Sequence, residues 1–395
     1  MINITEKNKC TGCHACAAVC PKSCIDMRRD SEGFLYPVVN TDECINCNKC
    51  ERVCPILTGR TENTDSQQLG YAAYSKDEEM RLKSSSGGIF SEIAEVIIDR
   101  GGVVFGAAMA EDQRSVHHIA VDDKEGLEIL RGSKYLQSTV GDTYKQAKEY
   151  LENGRYVLFT GTPCQIGGLY AYLGKDHDRL YTQDLICHGA PSPLVWEKYV
   201  EYREKKASDG SSPKVMTRRT FFRVKPWKRF SVRFEFSNLT EYLADLRSDP
   251  FMRGFLSDIY LRPSCYDCKY KTVHRQADIT LADFWGIQNV YPDMDDDNGI
   301  SFVWVHSDKG RELFDEIRGH LVTRECDTGI VTSKYNPAAV RSSSLPGKRK
   351  LFFDNMDKTD VADNIRICTA VPFIRRLYRK LRSVAGKCYR AVFKR

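Results

Sequence analysis

The 395-residue sequence lacks the features of three classes of protein. No stretch approaches the roughly 18 consecutive apolar residues that a membrane-spanning helix requires, and the first residues contain no apolar signal region. A Gly-x-Gly-x-x-Gly motif is also missing, so that a nicotinamide-binding Rossmann site has no support in the sequence. These absences predict a cytoplasmic protein whose thiols are reduced or bound to metal.

Cysteine, by contrast, occurs 16 times, and eight cysteines form a repeat near the N-terminus. Each run has the spacing Cys-x-x-Cys-x-x-Cys-x-x-x-Cys-Pro, and the second run lies 34 positions after the first. This spacing is typical of bacterial ferredoxins with two 4Fe–4S clusters, in which the fourth cysteine of each run binds the other cluster. One predicted cluster is bound by Cys10, Cys13, Cys16 and Cys54, and the other by Cys20, Cys44, Cys47 and Cys50.

Zinc and disulfides are the competing interpretations of these eight cysteines. Zinc accepts four thiolates but does not require two runs that each end in proline, and disulfides need an oxidising compartment. Clusters are therefore favoured. Because oxygen destroys clusters of this kind, we expect the protein to work in an anaerobic setting.

Sequence patterns divide the chain into a small iron–sulfur domain and a larger domain. Residues 1–57 contain the cysteine repeat, and the polar residues 58–70 form a predicted linker. Residues 71–350 alternate between predicted strands, such as 103–109, and predicted helices, such as 89–100. The predicted fold class is multidomain α/β (or α+β), in which the larger domain has a largely parallel or mixed sheet.

Four further cysteines lie in the larger domain, two of them at predicted strand ends and two in a loop. Because strand ends on one edge of an α/β sheet converge, these cysteines can meet there and bind a third 4Fe–4S cluster. The spacing alone leaves three alternatives open: a zinc site, a redox dithiol in the Cys-x-x-Cys pair, and buried structural cysteines. The four residues are Cys164, Cys187, Cys265 and Cys268.

A serine- and glycine-rich stretch, Ser84-Ser-Ser-Gly-Gly, precedes the predicted helix at Ile89. Serine hydroxyls cap helices, and glycines let a phosphate approach the free amides of a helix N-terminus. The stretch therefore fits either the pyrophosphate site of a cofactor or an ordinary helix cap. Residues 218–229 mix basic and aromatic side chains, and a substrate-facing or solvated strand pair is favoured there over a nucleic-acid site.

Six motifs occur in one order and give the chain a family resemblance. They are Lys83-Ser-Ser-Ser-Gly-Gly, Arg131-Gly-Ser-Lys-Tyr-Leu-Gln-Ser, Thr160-Gly-Thr-Pro-Cys-Gln, Asp184-Leu-Ile-Cys-His-Gly, Cys265-Tyr-Asp-Cys-Lys and Ala277-Asp-Ile-Thr-Leu-Ala-Asp-Phe-Trp-Gly. With these motifs, residues 1–310 resemble the beta-subunit family of the coenzyme F420 hydrogenases and dehydrogenases. The resemblance is to the members that begin with a two-cluster ferredoxin module.

The resemblance implies an FAD in the larger domain, beside a third 4Fe–4S cluster at the four cysteines named above. The implied cofactor-binding residues are Ser85, Ser86, Gly87, Gly88, Lys134, Tyr135, Gln137, Thr162 and Gln165. His188, which follows Cys187, is predicted to deliver a proton to the substrate. The alternative for this histidine is a hydrogen bond to cluster sulfur or to flavin.

These features predict an iron–sulfur flavoprotein oxidoreductase that passes electrons between a one-electron carrier and a two-electron substrate through FAD. Clusters carry single electrons, whereas a flavin can exchange two. The alternative is a non-enzymatic relay subunit of a larger complex, for example in a polysaccharide pathway. The predicted partners are an electron-carrier protein or a partner oxidoreductase subunit, and no nucleic acid.

The C-terminal residues 364–395 hold ten Lys and Arg residues and no acidic residue, so that the rest of the chain, from a total of +6, has a net charge of −4. Apolar residues recur in this segment at helical spacing and predict a basic amphipathic helix. Such a helix can lie on an anionic membrane surface, which would make the cytoplasmic protein peripheral to the cell membrane. Packing of the helix against the acidic body is the alternative.

Overall fold

The computed structural model describes residues 1–59, 68–208, 210 and 214–370. The strands are β1 (Ile25–Arg29), β2 (Leu35–Val39), β3 (Leu69–Ser75), β4 (Val103–Met109), β5 (Val116–Val121), β6 (Val157–Thr160), β7 (Leu180–Leu185), β8 (Thr217–Val224), β9 (Ser231–Phe236), β10 (Glu241–Asp245), β11 (Ile279–Asp283), β12 (Ser301–Val305) and β13 (Leu321–Glu325). The α-helices are α1 (Ala15–Ala18), α2 (Lys49–Arg52), α3 (Glu78–Lys83), α4 (Ile89–Asp99), α5 (Leu127–Leu130), α6 (Thr143–Glu152), α7 (Pro163–Leu173), α8 (Pro193–Ala207), α9 (Pro250–Leu256), α10 (Asp308–Ile317), α11 (Thr328–Ile330), α12 (Arg349–Asp354) and α13 (Val361–Thr369).

The N-terminal module (residues 1–57) is built on the antiparallel hairpin β1–β2 and the one-turn helices α1 and α2. Each helix follows a residue with positive φ, His14 at +67° and Asn48 at +57°. This left-handed conformation, for which His and Asn are enriched among non-glycine residues, turns the chain out of the preceding cysteine loop. The module therefore contains the same loop–helix unit twice.

The larger domain contains an eight-stranded mixed sheet with the order β13–β3–β12–β11–β7–β6–β4–β5. Strands β4, β6, β7 and β11 run parallel, and the outer strands pair antiparallel. The predicted α/β fold with a mixed sheet is thus confirmed. Because the carboxyl ends of parallel strands meet at one edge, the loops after β6, β7 and β11 lie together.

Helices cover both faces of this sheet. In β4, Val103 and Phe105 face one side and Val104 faces the other, as the alternation of side chains along a strand requires. Helices α4 and α10 cover the side of Val104, and α6 and α7 cover the opposite side. Ile2 of the N-terminal module shares this second core with Leu169 of α7. Full burial of such a side chain contributes roughly 1.5–3 kcal/mol, so the shared core holds the module against the sheet.

Polar contacts hold the module at its hairpin as well. The Glu32 carboxylate accepts two hydrogen bonds from the Arg349 guanidinium, at 2.7 and 2.5 Å, and the Glu32 carbonyl accepts one from the Ser192 hydroxyl at 2.5 Å. Arg29 pairs with Glu197 at 2.5 Å. Bidentate charge-assisted bonds are stronger than neutral ones and fix geometry. The hairpin is therefore fastened to the larger domain.

A second, three-stranded sheet of order β10–β9–β8 packs with α8, α9, α12 and α13 around an aromatic core. Residues 364–369 of the predicted basic helix belong to α13, in which Asn364 and Ile365 are fully buried. Residues 371–395 of that helix lie outside the described residues, as do residues 60–67 of the predicted linker. Within the described ranges, no helix has the length and apolar character to cross a membrane.

Candidate functional site

Two small cavities lie in the N-terminal module, and each is lined by one of the predicted four-cysteine sets. The cavity next to α7, called the inner site, is bordered by Cys10, Cys13, Cys16 and Cys54. The cavity beside the N-terminus, called the outer site, is bordered by Cys20, Cys44, Cys47 and Cys50. The last cysteine of each run thus lies with the first three of the other run. Cys24 also borders the outer site, with its Sγ 3.4 Å from the Sγ of Cys20.

The donors at these sites are thiols, and four of them border each cavity. A 4Fe–4S cluster places iron and sulfide between its four thiolates, which therefore surround a cavity. Burial raises the pKa of the Cys13 thiol to about 11. Its thiolate form therefore needs nearby positive charge, which cluster iron supplies.

The four cysteines of the larger domain border one cavity of about 510 Å³ at the carboxyl edge of the sheet, here called the third site. Cys164 lies in the first turn of α7, and Cys187 follows β7. Cys265 lies in the short 3-10 helix Pro263–Asp267, and Cys268 follows it. Burial raises the pKa of Cys187, and it raises that of Cys265 to about 12. Four thiols around one cavity are the arrangement that a 4Fe–4S cluster needs.

Backbone contacts position these cysteines. The Ala190 amide donates a hydrogen bond to the Sγ of Cys265 at 3.3 Å. The Lys271 ammonium donates to the carbonyl of Cys187 and, at 2.6 Å, to that of Ala338. Hydrogen bonds to sulfur and nearby charge tune the potential of an iron–sulfur cluster. The third site has one hydrogen bond to a cysteine sulfur and one nearby ammonium group, and both would tune a cluster bound there.

A second cavity of about 370 Å³, called the adjoining cavity, runs from the third site to the N-terminus of α4. The residues that border both cavities include Ser133, Lys134, Tyr135, Thr162, Gln165 and Trp285. Buried polar atoms without a hydrogen-bond partner among the described residues also border it: Oγ of Ser86, Nδ1 of His118 and Oε1 of Gln183. Buried polar atoms are normally paired, so these three predict a polar ligand in the adjoining cavity.

The serine–glycine stretch forms the end of the adjoining cavity. Ser85 Oγ accepts a hydrogen bond from the Ser133 amide at 2.8 Å and lies 2.9 Å from the Ser133 hydroxyl. Gly88 precedes α4 with a φ of +88°, a conformation that favours glycine. The free amides of an 11-residue helix therefore begin at the cavity wall.

Gly87 has packing contacts of its own, and its predicted phosphate contact stays a prediction. Its amide donates a hydrogen bond at 3.0 Å to the hydroxyl of Ser301, a residue that borders the adjoining cavity. A Cβ at this position would lie 2.4 Å from the carbonyl oxygen of Ala73. The glycine is therefore required for close packing of the loop against β3.

Lys134 and Tyr135 border both cavities but already have partners in the protein. The Lys134 ammonium donates to the carbonyls of Ile129, Leu130 and Arg131 at 3.0, 2.8 and 2.8 Å, and so caps α5. Burial lowers the pKa of Lys134 to about 7. The hydroxyl of Tyr135 accepts a hydrogen bond from Arg223 at 3.2 Å.

The three remaining predicted cofactor contacts have structural partners too. Gln165 Oε1 accepts from the Thr162 amide at 2.9 Å, and the two residues form a capping box at the start of α7. Gln137 borders the third site and not the adjoining cavity, and its amide donates to the carbonyl of Thr11 at 3.0 Å. Gln137 therefore joins the larger domain to the N-terminal module. Its sequence neighbours in the motif gave no sign of this, because the contact is made only in the folded chain.

His188 borders the cavity of the third site, directly after Cys187. Its Nε2 lies 2.6 Å from Oδ1 of Asp258, although the two atoms are not aligned for a hydrogen bond. The edge of the ring packs against Phe255, with 4.9 Å between the ring centroids. Asp258 and Phe255 thus restrict the position of the imidazole.

Some residues of the site carried no signal in the sequence. Arg223 comes from the basic and aromatic stretch 218–229, yet its guanidinium is buried, pairs with Asp283 at 2.9 Å and borders the third-site cavity. The solvated alternative is therefore wrong at Arg223. Its position at the cavity is consistent with the substrate-facing alternative, which stays a prediction. Arg275 forms a fully buried ion pair with Asp184 at 3.3 Å. A buried arginine is recognisable only from its tertiary partner.

Comparison with known proteins identifies the family. Residues 70–143 and 154–328 match the N-terminal and C-terminal models of the coenzyme F420 hydrogenase/dehydrogenase beta subunit. The chain belongs to this family. Residues 9–57 match the 4Fe-4S dicluster domain. The resemblance predicted from the motifs is confirmed, and the chain is an iron–sulfur oxidoreductase subunit of the beta-subunit family.

Other comparisons are more distant. A chain of the F420-reducing NiFe hydrogenase complex from Methanosarcina barkeri, solved after xenon derivatization, is 17% identical. The match covers 77% of this chain and 89% of that chain, with a TM-score of 0.45. No curated protein sequence matches the chain significantly.

Proposed function

We propose that this family member is an iron–sulfur flavoprotein that passes electrons between a one-electron carrier and a two-electron substrate through FAD. The observation that carries the proposal is the continuity of two cavities. A four-cysteine site shares its walls with a cleft that ends at a helix N-terminus. A metal cluster and a phosphate-bearing cofactor would therefore be neighbours.

The bound groups would supply the redox chemistry, since clusters carry single electrons and a flavin exchanges two. In the fold, the inner site lies between the outer site and the third site. Thr11 borders both the inner site and the cavity of the third site, whereas the outer site shares no wall residue with that cavity. This arrangement supports an electron path that begins at the outer site, continues through the inner site and reaches the third site.

Residues of two kinds support FAD in the adjoining cavity. The N-terminus of α4, with Gly88 and the Ser86 hydroxyl, suits the phosphates, because a helix N-terminus favours negative charge. The walls of the third-site cavity include Phe230, Phe255 and Trp285, which suit a flat ring system. We therefore expect the ring to lie toward the cysteines and the phosphates toward α4.

His188 is proposed as the group that delivers a proton to the substrate. Histidine is the usual side chain for proton transfer near neutral pH, and this one borders the third-site cavity with its ring held by Asp258 and Phe255. The alternative is a positioning role, in which the ring donates a hydrogen bond to cluster sulfur or to flavin.

A relay subunit without a small substrate is the second candidate function. It is favoured by the family description, which names a beta subunit and so supports partner subunits. The enzyme is favoured instead by His188, a side chain able to transfer protons that borders the third-site cavity. The predicted partners are an electron carrier or a partner oxidoreductase subunit.

The test is anaerobic purification of the full chain, followed by measurement of iron and flavin. The proposal predicts about twelve irons per chain, four for each cysteine site, and one FAD. Reduced protein is then mixed with candidate two-electron acceptors, and the one that reoxidises it is the substrate. Protein that holds all three clusters but no flavin after anaerobic reconstitution would overturn the proposed conversion.

A further inference from the structure

We infer that Arg262 is a positioning residue that joins the inner site to the third site and raises the redox potential of the inner cluster. The inference rests on the proposed cluster at the inner site and not on FAD. Arg262 belongs to the larger domain, is only 1% exposed, and lies where the N-terminal module meets that domain.

The backbone of Arg262 is fixed to the third site. Its amide donates a hydrogen bond to the carbonyl of Ala190 at 2.8 Å, and its carbonyl accepts one from the amide of Cys265 at 2.9 Å. Ala190 in turn donates to the Sγ of Cys265. One short loop therefore holds both Arg262 and a ligand of the third site.

The side chain of Arg262 reaches the other way, into the inner site. Its Nε donates to the carbonyl of Cys10 at 2.7 Å, and one terminal NH₂ group donates to the carbonyl of Leu35 at 2.8 Å and to the Sγ of Cys10 at 3.6 Å. The other terminal NH₂ group donates to Oε1 of Gln137 at 3.0 Å. The guanidinium lies over the ring of Tyr36, 4.4 Å from its centroid. Its donors are thus committed to neutral groups and to one cysteine sulfur.

No carboxylate of the described residues forms an ion pair with this buried cation. Every polar partner found for the guanidinium is a carbonyl, an amide oxygen or a thiol. A buried charge without a counter-charge is strongly unfavourable. A cluster bound by four thiolates has net negative charge and would supply the missing counter-charge at Cys10.

The guanidinium of Arg262 packs directly against Gly12, and a larger side chain at Gly12 would not fit there. A Cβ at Gly12 would lie 2.7 Å from a terminal nitrogen of Arg262 and 2.9 Å from the amide nitrogen of Gln137. Gly12 has a φ of +69°, so glycine is required for both conformation and space. Residues of both the N-terminal module and the larger domain therefore shape the contact between Gly12 and Arg262.

A fixed cation beside a cluster favours the reduced state, because reduction adds one negative charge to the cluster. Loss of the cation should lower the potential of the inner cluster and leave the outer cluster unchanged. A matched control lies at the same boundary: Arg349 also joins the module to the larger domain, but it donates to the Glu32 carboxylate and the Leu261 carbonyl and, among the described residues, forms no hydrogen bond to a cysteine.

The experiment is an anaerobic redox titration of the full chain, followed by EPR spectroscopy. It compares Arg262→Gln, Gln137→Glu and Arg349→Gln with the unchanged protein. Gln137→Glu keeps the arginine but adds a carboxylate next to it, and so tests the charge even where Arg262→Gln fails to fold. We expect both variants to lower the ratio of reduced to oxidised inner cluster at a fixed potential by about tenfold, a shift of about 59 mV for one electron.

The outer cluster, whose cavity Arg262 does not border, and the Arg349→Gln variant should titrate as the unchanged protein does. The inference is overturned if no potential moves although iron analysis shows the inner cluster in place, or if Arg349→Gln causes an equal shift. An absent inner cluster in the unchanged protein would instead refute the proposed function.

Discussion

The outer site and the third site each gather four cysteines, but they do so by different routes. The cysteines of the outer site come from two copies of one loop–helix unit within the first 50 residues. Those of the third site come from the start of α7, the end of β7 and a short 3-10 helix. A loop–helix unit of this kind brings its cysteines together by local folding alone. The third site exists only when the parallel strands have been assembled, so it depends on the whole sheet.

The largest expected effect tests whether the two kinds of site are independent. Cys268→Ser should lower the iron content from about twelve to about eight per chain, since one four-cysteine site is lost. Iron analysis and EPR spectra of the N-terminal clusters provide the measurement. Cys326→Ser is the control, because Cys326 borders neither the three cysteine sites nor the adjoining cavity. Retention of all the iron would refute the third cluster.

The second prediction concerns chemistry that only the third-site region should support. His188→Gln should slow reduction of the substrate about 100-fold, the low end of the range for proton transfer by a side chain. Reduction of the flavin by the clusters should keep its rate. Stopped-flow absorbance separates the two steps. Equal slowing of both steps would assign His188 the positioning role.

The third prediction separates the adjoining cavity from the cysteine sites. Gly88→Val should reduce the bound flavin at least about tenfold, because a side chain there disturbs the helix start that suits the phosphates. Gly101→Val is the matched control: Gly101 also has a positive φ, at the other end of α4, and a Cβ there meets open space. Strain of about 1–2 kcal/mol is common to both variants. Flavin loss in both would mean that strain in α4, and not the phosphate site, is responsible.

The smallest effect concerns residues outside both regions. Deletion of residues 371–395, which spares α13, should abolish flotation of the protein with anionic vesicles and leave iron content unchanged. Each basic residue near such a surface contributes about 1 kcal/mol, so the intact chain should float at low salt and detach at high salt. If the intact and shortened chains behave alike, the membrane prediction is wrong.

Sequence alone predicted the features that depend on local pattern. The strand predicted at 103–109 coincides with β4, and the helix predicted at 89–100 with α4, because each has a clear apolar period. The eight cysteines of the N-terminal module were assigned in the sets that the cavities now bring together. The spacing of cysteines within a short loop determines which of them can converge, so the sequence was enough to assign the two sets.

Contacts between distant segments were not predictable in this way. Gly87 and Gln137 stand in motifs, yet Gly87 packs against Ala73 and Gln137 contacts the N-terminal module. Arg262 belongs to no motif, and its inferred role follows only from its burial between the N-terminal module and the larger domain. The spacing of apolar residues predicts which face of a helix or strand is buried. It does not predict which distant polar group will contact that helix or strand.

The fastening of Glu32 to Arg349 and Ser192 has a kinetic consequence. With the hairpin fastened and α7 sharing a core with the N-terminal module, we expect the module to stay docked during electron transfer. In the proposed function, transfer within the chain is therefore first order and insensitive to solvent viscosity. Only the encounter of an external carrier with the outer site is second order, and only the rate of that step should depend on the salt concentration.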